Sequence, residues 1–309
     1  MPDSDRRSTD NPEFSVIIPT FNRAHVLPRA IDSVLGQSHG DFELLVVDDG
    51  SVDGTEPCVA AYRDVRIRYI RHEHNRGQNT ARNTGLEAAR GMFVSFLDSD
   101  DEWDAGMLEA VHARFRSDEE LGWVYTAYRF REAGGEVRSP LGGTLEGWIY
   151  TEALEQGHVS PPTAFSVRRT CFDRVGGFDP DISVGDDDVM CFTLARSFKV
   201  GRIDTVLATL HEDGGGRVSD DPARTAEDYH AVYQKFGADI QARCGRGTMA
   251  RHYADVGAHL LSGGHRRLAF RVYRRSVAHG WSAEAARGMI LLLLPRWCQQ
   301  RMRLAAPRP

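Results

Sequence analysis

Short apolar runs alternate with amphipathic stretches through the first third of the chain. The runs are rich in β-branched and aromatic residues, which is typical of strands, whereas the stretches between them carry apolar residues at helical spacing. The predicted strands are 14–18, 42–47, 67–70 and 92–97, and the predicted helices between them are 24–35, 55–62 and 79–90. Because these strands are short, mostly apolar and alternate with helices, they indicate a parallel sheet that is buried on both faces.

The pattern changes after a further helix, which is predicted at 105–116. The remaining elements are strands at 123–130, 163–167 and 206–211, a helix at 187–197, and a helical region from about residue 224. A glycine-rich segment, 134–147, separates the first two of these strands. Gly91 directly follows a predicted helix, so we expect it to adopt a left-handed conformation there.

Composition narrows the class of protein. The 309 residues are 41% hydrophobic and 27% charged, as in an ordinary globular protein, and the net charge of -6 gives no reason to expect a nucleic-acid partner. Five scattered cysteines without CxxC spacing argue for reduced thiols in a cytoplasmic setting, and against a zinc site or a disulfide framework. The first thirteen residues are polar and the longest apolar run, 289–294, is short, so we expect neither a secretory signal nor a membrane span.

Three carboxylates in four residues, Asp98-Ser99-Asp100-Asp101, follow the fourth predicted strand. Carboxylates that leave a buried strand repel one another and are costly without a cation. Mg²⁺ or Mn²⁺, bound by one or two of them and by substrate phosphates, would remove that cost. The alternative is a solvated acidic loop in which Glu102 and Asp104 help to cap the next helix. The apolar strand before the cluster favours the metal site.

A second acidic pair, Asp48 and Asp49, ends the second predicted strand. An aspartate in this position can accept hydrogen bonds from a ribose or a base, since ligands of parallel sheets bind beyond the carboxyl ends of the strands. A simple Asp-Gly turn is the alternative. Arg82, near the start of the third predicted helix, suits a diphosphate, although a helical arginine usually forms a surface salt bridge.

Two further polar features lie downstream. Asp186-Asp187-Asp188 begins a predicted helix, where one carboxylate could act as a general base; helix capping would also explain all three. His211 ends a predicted strand before a glycine-rich loop, 212–216, which is suited to a lid over a nucleotide. A lone histidine, however, is more often structural than a ligand.

The order of these motifs is recognisable. It runs through SVIIPTFNR at 15–23, VVDDGS at 46–51, NRG at 75–77, ARNTG at 81–85, FLDSDD at 96–101, VGGFD at 175–179 and GDD at 185–187. Together, over roughly residues 14–220, they resemble glycosyltransferase family 2, the inverting enzymes of GT-A fold. The resemblance implies an α/β GT-A fold: a Rossmann-like, mostly parallel sheet flanked by helices, with a C-terminal helical appendage.

The resemblance also implies what each part of the chain binds. The donor would be a nucleoside-diphosphate sugar, with a UDP-sugar favoured, and the metal Mn²⁺ or Mg²⁺. On that basis the nucleotide-sugar binding half is 14–120, the acceptor-binding half with the catalytic base is 121–220, and the C-terminal helical region is 221–309. The acceptor would be a glycan, a lipid-linked molecule or a small molecule.

Individual roles follow by position from the same resemblance. The residues assigned to the nucleotide sugar are Pro19, Thr20, Phe21, Arg23, Asp48, Asp49, Arg82, Asp98 and Ser99. Asp100 is assigned to the metal, with His211 near the metal or the diphosphate. Asp187 is assigned as the catalytic base, and Asp186 stands where the family has glutamate. Asp187 would deprotonate an acceptor hydroxyl, which attacks the anomeric carbon in a single inverting displacement.

Other functions fit parts of the pattern. A sugar-phosphate nucleotidyltransferase also has a nucleotide-binding sheet and an acidic metal site, but it favours a glycine-rich loop with a lysine. Neither lysine of this chain follows a glycine, and the absence of GxGxxG argues against a dinucleotide-dependent oxidoreductase. A non-catalytic nucleotide-sugar binding protein would have lost the metal or base carboxylates, and both are present.

The C-terminal region is basic, with ten arginines and one acidic residue, Glu284, from His265 onward. Amphipathic helices are predicted at 266–277 and 283–302. They would either pack on the catalytic domain or dock on an anionic membrane surface that presents a lipid-linked acceptor. The predicted location is the cytoplasm, with peripheral contact at the inner face of the membrane as a further hypothesis.

Overall fold

The computed structural model describes residues 11–212, 221–280 and 283–293. The chain divides into two compact units, 1–215 and 216–309, which are described separately. Most of the glycine-rich loop after His211, and the part of the last predicted helix beyond Leu293, lie outside the described residues.

The first unit is an α/β unit in which the predicted alternation of strands and helices is confirmed. Its first half comprises β1 (Phe14–Thr20), α1 (Leu27–Leu35), β2 (Phe42–Asp48), α2 (Thr55–Ala60), β3 (Ile67–Arg71), α3 (Gln78–Ala88), β4 (Phe93–Phe96), β5 (Glu102–Trp103) and α4 (Met107–Ser117). Its second half comprises β6 (Leu121–Arg131), β7 (Val137–Leu141), α5 (Tyr150–Gln156), β8 (Phe165–Arg168), α6 (Arg169–Val175), α7 (Asp186–Ala195) and β9 (Lys199–His211).

These strands form one sheet with the order β3-β2-β1-β4-β8-β6-β9-β5, and β7 pairs with β6. The strands β1 to β4 are parallel to one another. β8 lies antiparallel between β4 and β6, whereas β6 and β9 are parallel. The carboxyl ends of β1, β2 and β4 therefore meet at one edge of the sheet, and the acidic motifs follow these strands.

β1 lies at the centre of the core because apolar residues cover both of its faces. All seven of its residues are buried. Val16 and Ile18 share a hydrophobic cluster with Ile31 of α1. Ile17 lies against α3 at Gly85, where a Cβ atom would come within 2.5 Å of the Ile17 side chain. This close approach fixes α3, and the polar residues it carries, beside the carboxyl end of β1.

Several elements of the second half were missed or shortened in the sequence-based prediction. β7 lies inside the glycine-rich segment; its residues are mostly exposed, so no apolar alternation marks it. α5 and α6 have seven residues each, too few for a helical period to stand out. β9 begins at Lys199 rather than at 206, because its polar stretch around Asp204 hides the first half of the strand.

The left-handed conformation predicted for Gly91 is not observed. α3 ends at Ala88, and Gly91 is not among the residues with positive φ. A Cβ atom at Gly91 would instead lie 2.5 Å from the backbone nitrogen of Ser15. The position therefore needs glycine because two backbone segments approach each other closely, not because of a left-handed turn.

The second unit is helical, as predicted. Its described helices are α8 (Pro222–Arg243), α9 (Arg246–Ser262), α10 (Arg266–His279) and α11 (Ala283–Leu293). α10 packs against α9 and α11 within this unit, with Ala269, Val272 and Tyr273 buried. Among the described helices, none combines the length and apolar character needed to cross a bilayer.

Candidate active site

The carboxyl end of β1 brings a buried hydroxyl next to an exposed ring. Thr20 is 3% exposed, and its Oγ1 has no hydrogen-bond partner within the described part of the chain. Pro19 is buried in the strand, whereas Phe21 is 40% exposed. The next residue, Asn22, has a φ of 54°, and its side-chain oxygen accepts a hydrogen bond from the Val52 N–H at 2.9 Å. This turn could offer a planar ligand both a surface to stack on and a polar atom to bond.

Asp48 and Asp49, at the end of β2, are both buried, and both interact with other residues of the protein. Asp48 accepts a hydrogen bond from the Tyr69 hydroxyl. Asp49 accepts one from the Gly77 N–H at 2.7 Å and lies 2.7 Å from Nδ1 of His72. The pair therefore fixes the loop before α3 next to this edge of the sheet, and their predicted contact with a ribose or base stays a prediction.

Arg82 is not the surface residue that the salt-bridge alternative predicts, since it is 2% exposed. Its Nη2 donates to Asp98 at 2.7 Å, and its Nη1 donates to Asp186 at 2.5 Å and to Asn79 at 2.9 Å. A guanidinium can make these bonds together because its donors form a rigid planar fork. Arg82 thus joins the acidic cluster after β4 to the start of α7, although the two lie far apart in sequence.

The acidic cluster after β4 divides into two more exposed carboxylates and one buried carboxylate. The side chain of Asp98 is 25% exposed and that of Asp100 is 18% exposed. Asp100 lies 3.8 Å from Arg23, so the arginine of the first motif reaches the acidic cluster. Ser99, between them, is buried. Two carboxylates are therefore placed at the sheet edge beside two arginines, Arg23 and Arg82.

Asp101 has a structural role. It is 5% exposed, accepts a hydrogen bond from the Thr163 hydroxyl at 2.6 Å, and accepts another from the backbone N–H of His211 at 3.1 Å. Burial raises the pKa of Asp101 well above its usual range, and the charges of Asp100 and Asp98 raise it further. Asp101 therefore ties the cluster to the end of β9.

The structure places His211 beside the acidic cluster but pairs its side chain with another residue. Its Nε2 lies 3.0 Å from Glu102. Glu102 and Asp104 do not cap α4, because the Leu108 N–H in its first turn donates to Oε1 of Gln37 at 3.0 Å, and Asp104 instead pairs with Arg129. The solvated-loop alternative is therefore wrong in this detail, and a metal-binding role for His211 stays a prediction.

Three carboxylates lie at the start of α7, each in a different environment. Asp186 pairs with Arg82. Asp188 is 3% exposed and lies 2.7 Å from Nδ1 of His158. Asp187, between them, is 23% exposed at its side chain and lies 3.8 Å from the same His158 nitrogen. Asp187 is therefore the one of the three whose carboxylate has no cation closer than 3.8 Å in the described ion pairs.

Burial and mutual repulsion shift the pKa values of this group upward. Burial raises the pKa of Asp186 to about 7, against the lowering effect of Arg82. Burial and the charge of Asp188 raise the pKa of Asp187 to about 6, against the lowering effect of His158. A carboxylate with a pKa near neutrality is a better proton acceptor than an ordinary aspartate, yet it is still ionised at pH 7.

His158, which lies just after α5, was missed in the sequence analysis. Burial would lower its pKa, but its hydrogen bond to Asp188 and the charges of Asp188 and Asp187 raise the pKa to about 9. The imidazole of His158 is therefore protonated at neutral pH. Its side chain is 45% exposed, so water also solvates this charge. The sequence carries only a lone histidine 29 residues before Asp187, and no local spacing links the two.

Two asparagines of α3, also missed, hold the segment before α7. Asn79 donates to the backbone oxygen of Ile182 at 2.7 Å. Asn83 exchanges a pair of hydrogen bonds, each 2.8 Å long, with the backbone of Phe178. The motifs ARN and GGFD are therefore parts of one contact, which positions Asp187 relative to Arg82.

Two clusters of potential metal ligands are present among the described residues. One is Glu13, His39 and His112, and the other is His158, Asp187 and Asp188. Neither contains Asp100 or His211, so a metal at those residues would need oxygen ligands from a substrate as well.

A family model and curated relatives all assign this chain to the glycosyltransferases. The model of the family described as "Glycosyl transferase family 2" matches residues 15–176. The uncharacterized glycosyltransferase EpsJ of Bacillus subtilis is 40% identical over 259 residues, which is 80% of this chain and 72% of that protein. The UDP-Glc:alpha-D-GlcNAc-diphosphoundecaprenol beta-1,3-glucosyltransferase WfgD of Escherichia coli is 45% identical over 95 residues, 31% of this chain and 38% of that protein. The chain spans only 29–35% of the length of three uncharacterized glycosyltransferases from Rickettsia species.

Solved structures share the fold at low sequence identity. TarS of S. aureus, residues 1–349 in complex with UDP-GlcNAc, has a TM-score of 0.60 and 16% identity, covering 96% of this chain and 93% of that chain. The mannosyltransferase PcManGT of Pyrobaculum calidifontis, in complex with GDP-Man and Mn²⁺, has a TM-score of 0.59 and 20% identity, covering 96% and 84%. At this identity the likeness concerns the fold.

Proposed function

Because this chain belongs to glycosyl transferase family 2 and is therefore a glycosyltransferase, we propose that it transfers a sugar from a nucleoside-diphosphate sugar to an acceptor hydroxyl with inversion. The observation that carries the proposal is the bridge of Arg82 between Asp98 and Asp186, which sets the acidic sheet edge beside Asp187. Family membership sets aside the sugar-phosphate nucleotidyltransferase and the non-catalytic binding protein.

The donor is proposed to lie at the carboxyl edge of β1, β2 and β4. The unpaired Thr20 hydroxyl and the exposed Phe21 ring suit a nucleobase, and Asp98 suits a ribose hydroxyl. Arg23 and Arg82 bring positive charge to the position proposed for the diphosphate. A UDP-sugar is favoured because WfgD is named as a UDP-Glc enzyme and TarS binds UDP-GlcNAc.

The residues at this edge fit a divalent metal of the Mg²⁺ or Mn²⁺ type. Hard cations prefer oxygen ligands and usually take one or two carboxylates together with substrate phosphates. Asp100 is the ligand we propose, since it is partly exposed at the end of the buried strand and Asp98 is engaged with Arg82. When bound, the metal would neutralise charge on the departing diphosphate.

Asp187 is proposed to take the proton from the acceptor hydroxyl. Its raised pKa suits that role, and Asp188 and His158 hold the start of α7 around it. Arg82 forms ion pairs with Asp186 and Asp98 and not with Asp187. The Asp187 carboxylate can therefore accept a hydrogen bond from the acceptor hydroxyl. Inversion follows because the hydroxyl attacks the anomeric carbon opposite the leaving diphosphate, with no covalent sugar intermediate.

A thermal-shift screen of nucleoside diphosphates tests the donor proposal. We expect UDP with Mn²⁺ to raise the melting temperature of the full chain, because a ligand that binds only the folded state stabilises it. UDP without metal and Mn²⁺ without nucleotide should each have a much smaller effect. A larger shift with GDP than with UDP would identify a GDP-sugar as the donor. The absence of a shift with every diphosphate and metal would contradict the proposed donor site.

The pH dependence of transfer tests the role of His158. A protonated Asp187 cannot accept a proton, so kcat/KM should fall tenfold per pH unit below about pH 6, where the pKa of Asp187 lies. His158→Asn removes a positive charge that lowers this pKa, so the acid limb of the profile should move to higher pH. His259→Asn, which changes an exposed histidine of α9, should leave the profile in place. A profile that His158→Asn does not move would contradict the electrostatic role.

A lipid-linked acceptor is proposed from two relatives whose names specify undecaprenol diphosphate acceptors. On α10, Arg267, Arg271 and Arg274 are exposed on one side, next to Phe270, which is 45% exposed. Such a basic stripe would attract an anionic membrane surface. In flotation with phosphatidylglycerol vesicles, Arg267→Glu/Arg271→Glu should reduce binding, whereas Arg63→Glu, an exposed arginine of the first unit, should change it less. Equal binding by all three proteins, or none by the wild type, would contradict a membrane role for α10.

A further inference from the structure

Three potential metal ligands meet at the amino end of β1, at the opposite end of that strand from the candidate active site. Glu13 directly precedes β1, His39 lies in the connection from α1 to β2, and His112 lies on α4. One carboxylate oxygen of Glu13 is 3.0 Å from Nε2 of His39, and the other is 2.8 Å from Nε2 of His112. The ligand atoms of all three residues lie within 4.8 Å of one another.

One of these atoms lacks the partner that its burial requires. Nε2 of His39 is buried and makes no hydrogen bond to any described residue, even though it lies 3.0 Å from Glu13. The distance is short enough for a hydrogen bond, so the direction of the nitrogen must be unsuitable for one. A buried polar atom without a partner is costly, and a cation between the imidazole and the carboxylate would remove that cost.

The set of ligand atoms suits zinc better than a hard cation. Two imidazole nitrogens and one carboxylate oxygen form a ligand set typical of Zn²⁺, which binds each at about 2.0–2.2 Å. Two atoms that bind one ion at these lengths with tetrahedral angles are separated by about 3.4 Å. The observed separations of 3.0 and 2.8 Å involve the two different oxygens of Glu13, and one ligand atom from each residue lies within 4.8 Å of the others, so side-chain rotations would bring one oxygen and both nitrogens to that spacing.

The surroundings would hold the ligands in place and leave the ion an open position. The three side chains are 17–24% exposed, so an ion could enter and keep a water molecule as its fourth ligand. The ring of Phe14 packs edge-on against His39, with a centroid distance of 5.2 Å, and restricts the orientation of the imidazole. The His39 and His112 rings are 5.1 Å apart.

We infer that Glu13, His39 and His112 form a Zn²⁺ site that is separate from the donor site. β1 has seven residues, so its two ends lie about 20 Å apart. The ion is too far from the carboxyl edge to take part in transfer. Its role is structural: it links the start of the central strand, the connection to β2 and the helix α4, which are remote in sequence.

Equilibrium dialysis of the full chain against micromolar Zn²⁺, followed by metal analysis, tests the site. We expect about one equivalent in the wild type, with a melting temperature about 5–10 °C higher than that of the metal-free protein. Asp100→Ala should retain the zinc, because it alters only the proposed donor site. His74→Asn, an exposed histidine of the same unit, should retain it too.

Glu13→Gln and His112→Asn should each lower the bound zinc at least tenfold. Zinc retention equal to that of the wild type in both variants, or no zinc in the wild type, would overturn the site. If the variants do not fold, Co²⁺ added to the wild type gives the answer. The intense visible bands of four-coordinate Co²⁺ are expected, and the weak spectrum of the six-coordinate ion would overturn the proposal.

Discussion

Replacing Asp187 by asparagine is expected to lower kcat for glycosyl transfer by about 10²–10⁴-fold, the usual contribution of a general base. Asparagine has nearly the same shape as aspartate but cannot accept the proton of the attacking hydroxyl. The dissociation constant of the nucleotide diphosphate should stay within about twofold of the wild-type value, because Asp187 is not among the residues proposed to bind it. Transfer is measured as diphosphate release that depends on acceptor.

Two neighbouring substitutions act as controls for Asp187→Asn. Asp181→Asn changes an exposed aspartate of the segment before α7 and should retain nearly full activity. Asp186→Asn alters the partner of Arg82 and tests the register, since Asp186 stands where the family has glutamate. Wild-type transfer by Asp187→Asn would contradict the assignment of the base, and a complete loss restricted to Asp186→Asn would move the base by one residue.

Replacing Arg82 by methionine is expected to destabilise the protein by about 3–5 kcal/mol, the usual cost of removing one partner from a buried ion pair. Two carboxylates, Asp98 and Asp186, would lose their common cation in a site where the arginine is 2% exposed. Methionine fills a similar volume, so the loss reports the missing charge rather than a cavity. Urea denaturation measures the free energy of unfolding, and donor binding should weaken as well.

The pH dependence of this loss separates charge from packing. Arg82 lowers the pKa of Asp186, which is about 7 in the wild type, so Arg82→Met raises this pKa further; the variant's carboxyl then takes up a proton as the pH falls towards 7, and the deficit of Arg82→Met should shrink over that range. Arg76→Met, an exposed arginine near the start of α3, should change stability by less than about 0.5 kcal/mol. A deficit below about 1 kcal/mol for Arg82→Met, or one independent of pH, would contradict the bridging role.

β1, β2 and β4 were predictable because each is a short, largely apolar run that is buried on both faces in the parallel sheet. β7 and the first half of β9 were not, because exposed or polar strand residues leave no apolar pattern. Gly91 shows a related limit. A glycine after a helix usually marks a left-handed turn, and only the structure shows that the backbone of Ser15 occupies the space where a Cβ atom would lie.

The candidate site, like the fold, could be predicted from the sequence only in part. The order of the motifs placed Asp98, Asp100 and Asp187 in one family pattern, but their contacts depend on how distant segments meet. Nothing local in the sequence links Arg82 to Asp186, or His158 to Asp188. The proposed zinc ligands are separated by 26 and 73 residues, so no spacing motif marks them. The cysteine spacing predicted no zinc site, but that spacing bears only on sites with cysteine ligands and says nothing of one built from histidine and glutamate.

Calorimetric titration of UDP into the full chain, with and without Mn²⁺, tests the central claim most directly when it compares the wild type, Asp100→Ala and Asp187→Asn. The claim is that the acidic cluster after β4 binds the donor through a metal and that Asp187 performs the chemistry. The predicted result is metal-dependent binding by the wild type and by Asp187→Asn, and its loss in Asp100→Ala. Wild-type binding by Asp100→Ala, or no metal-dependent binding of UDP or GDP by the wild type, would contradict it.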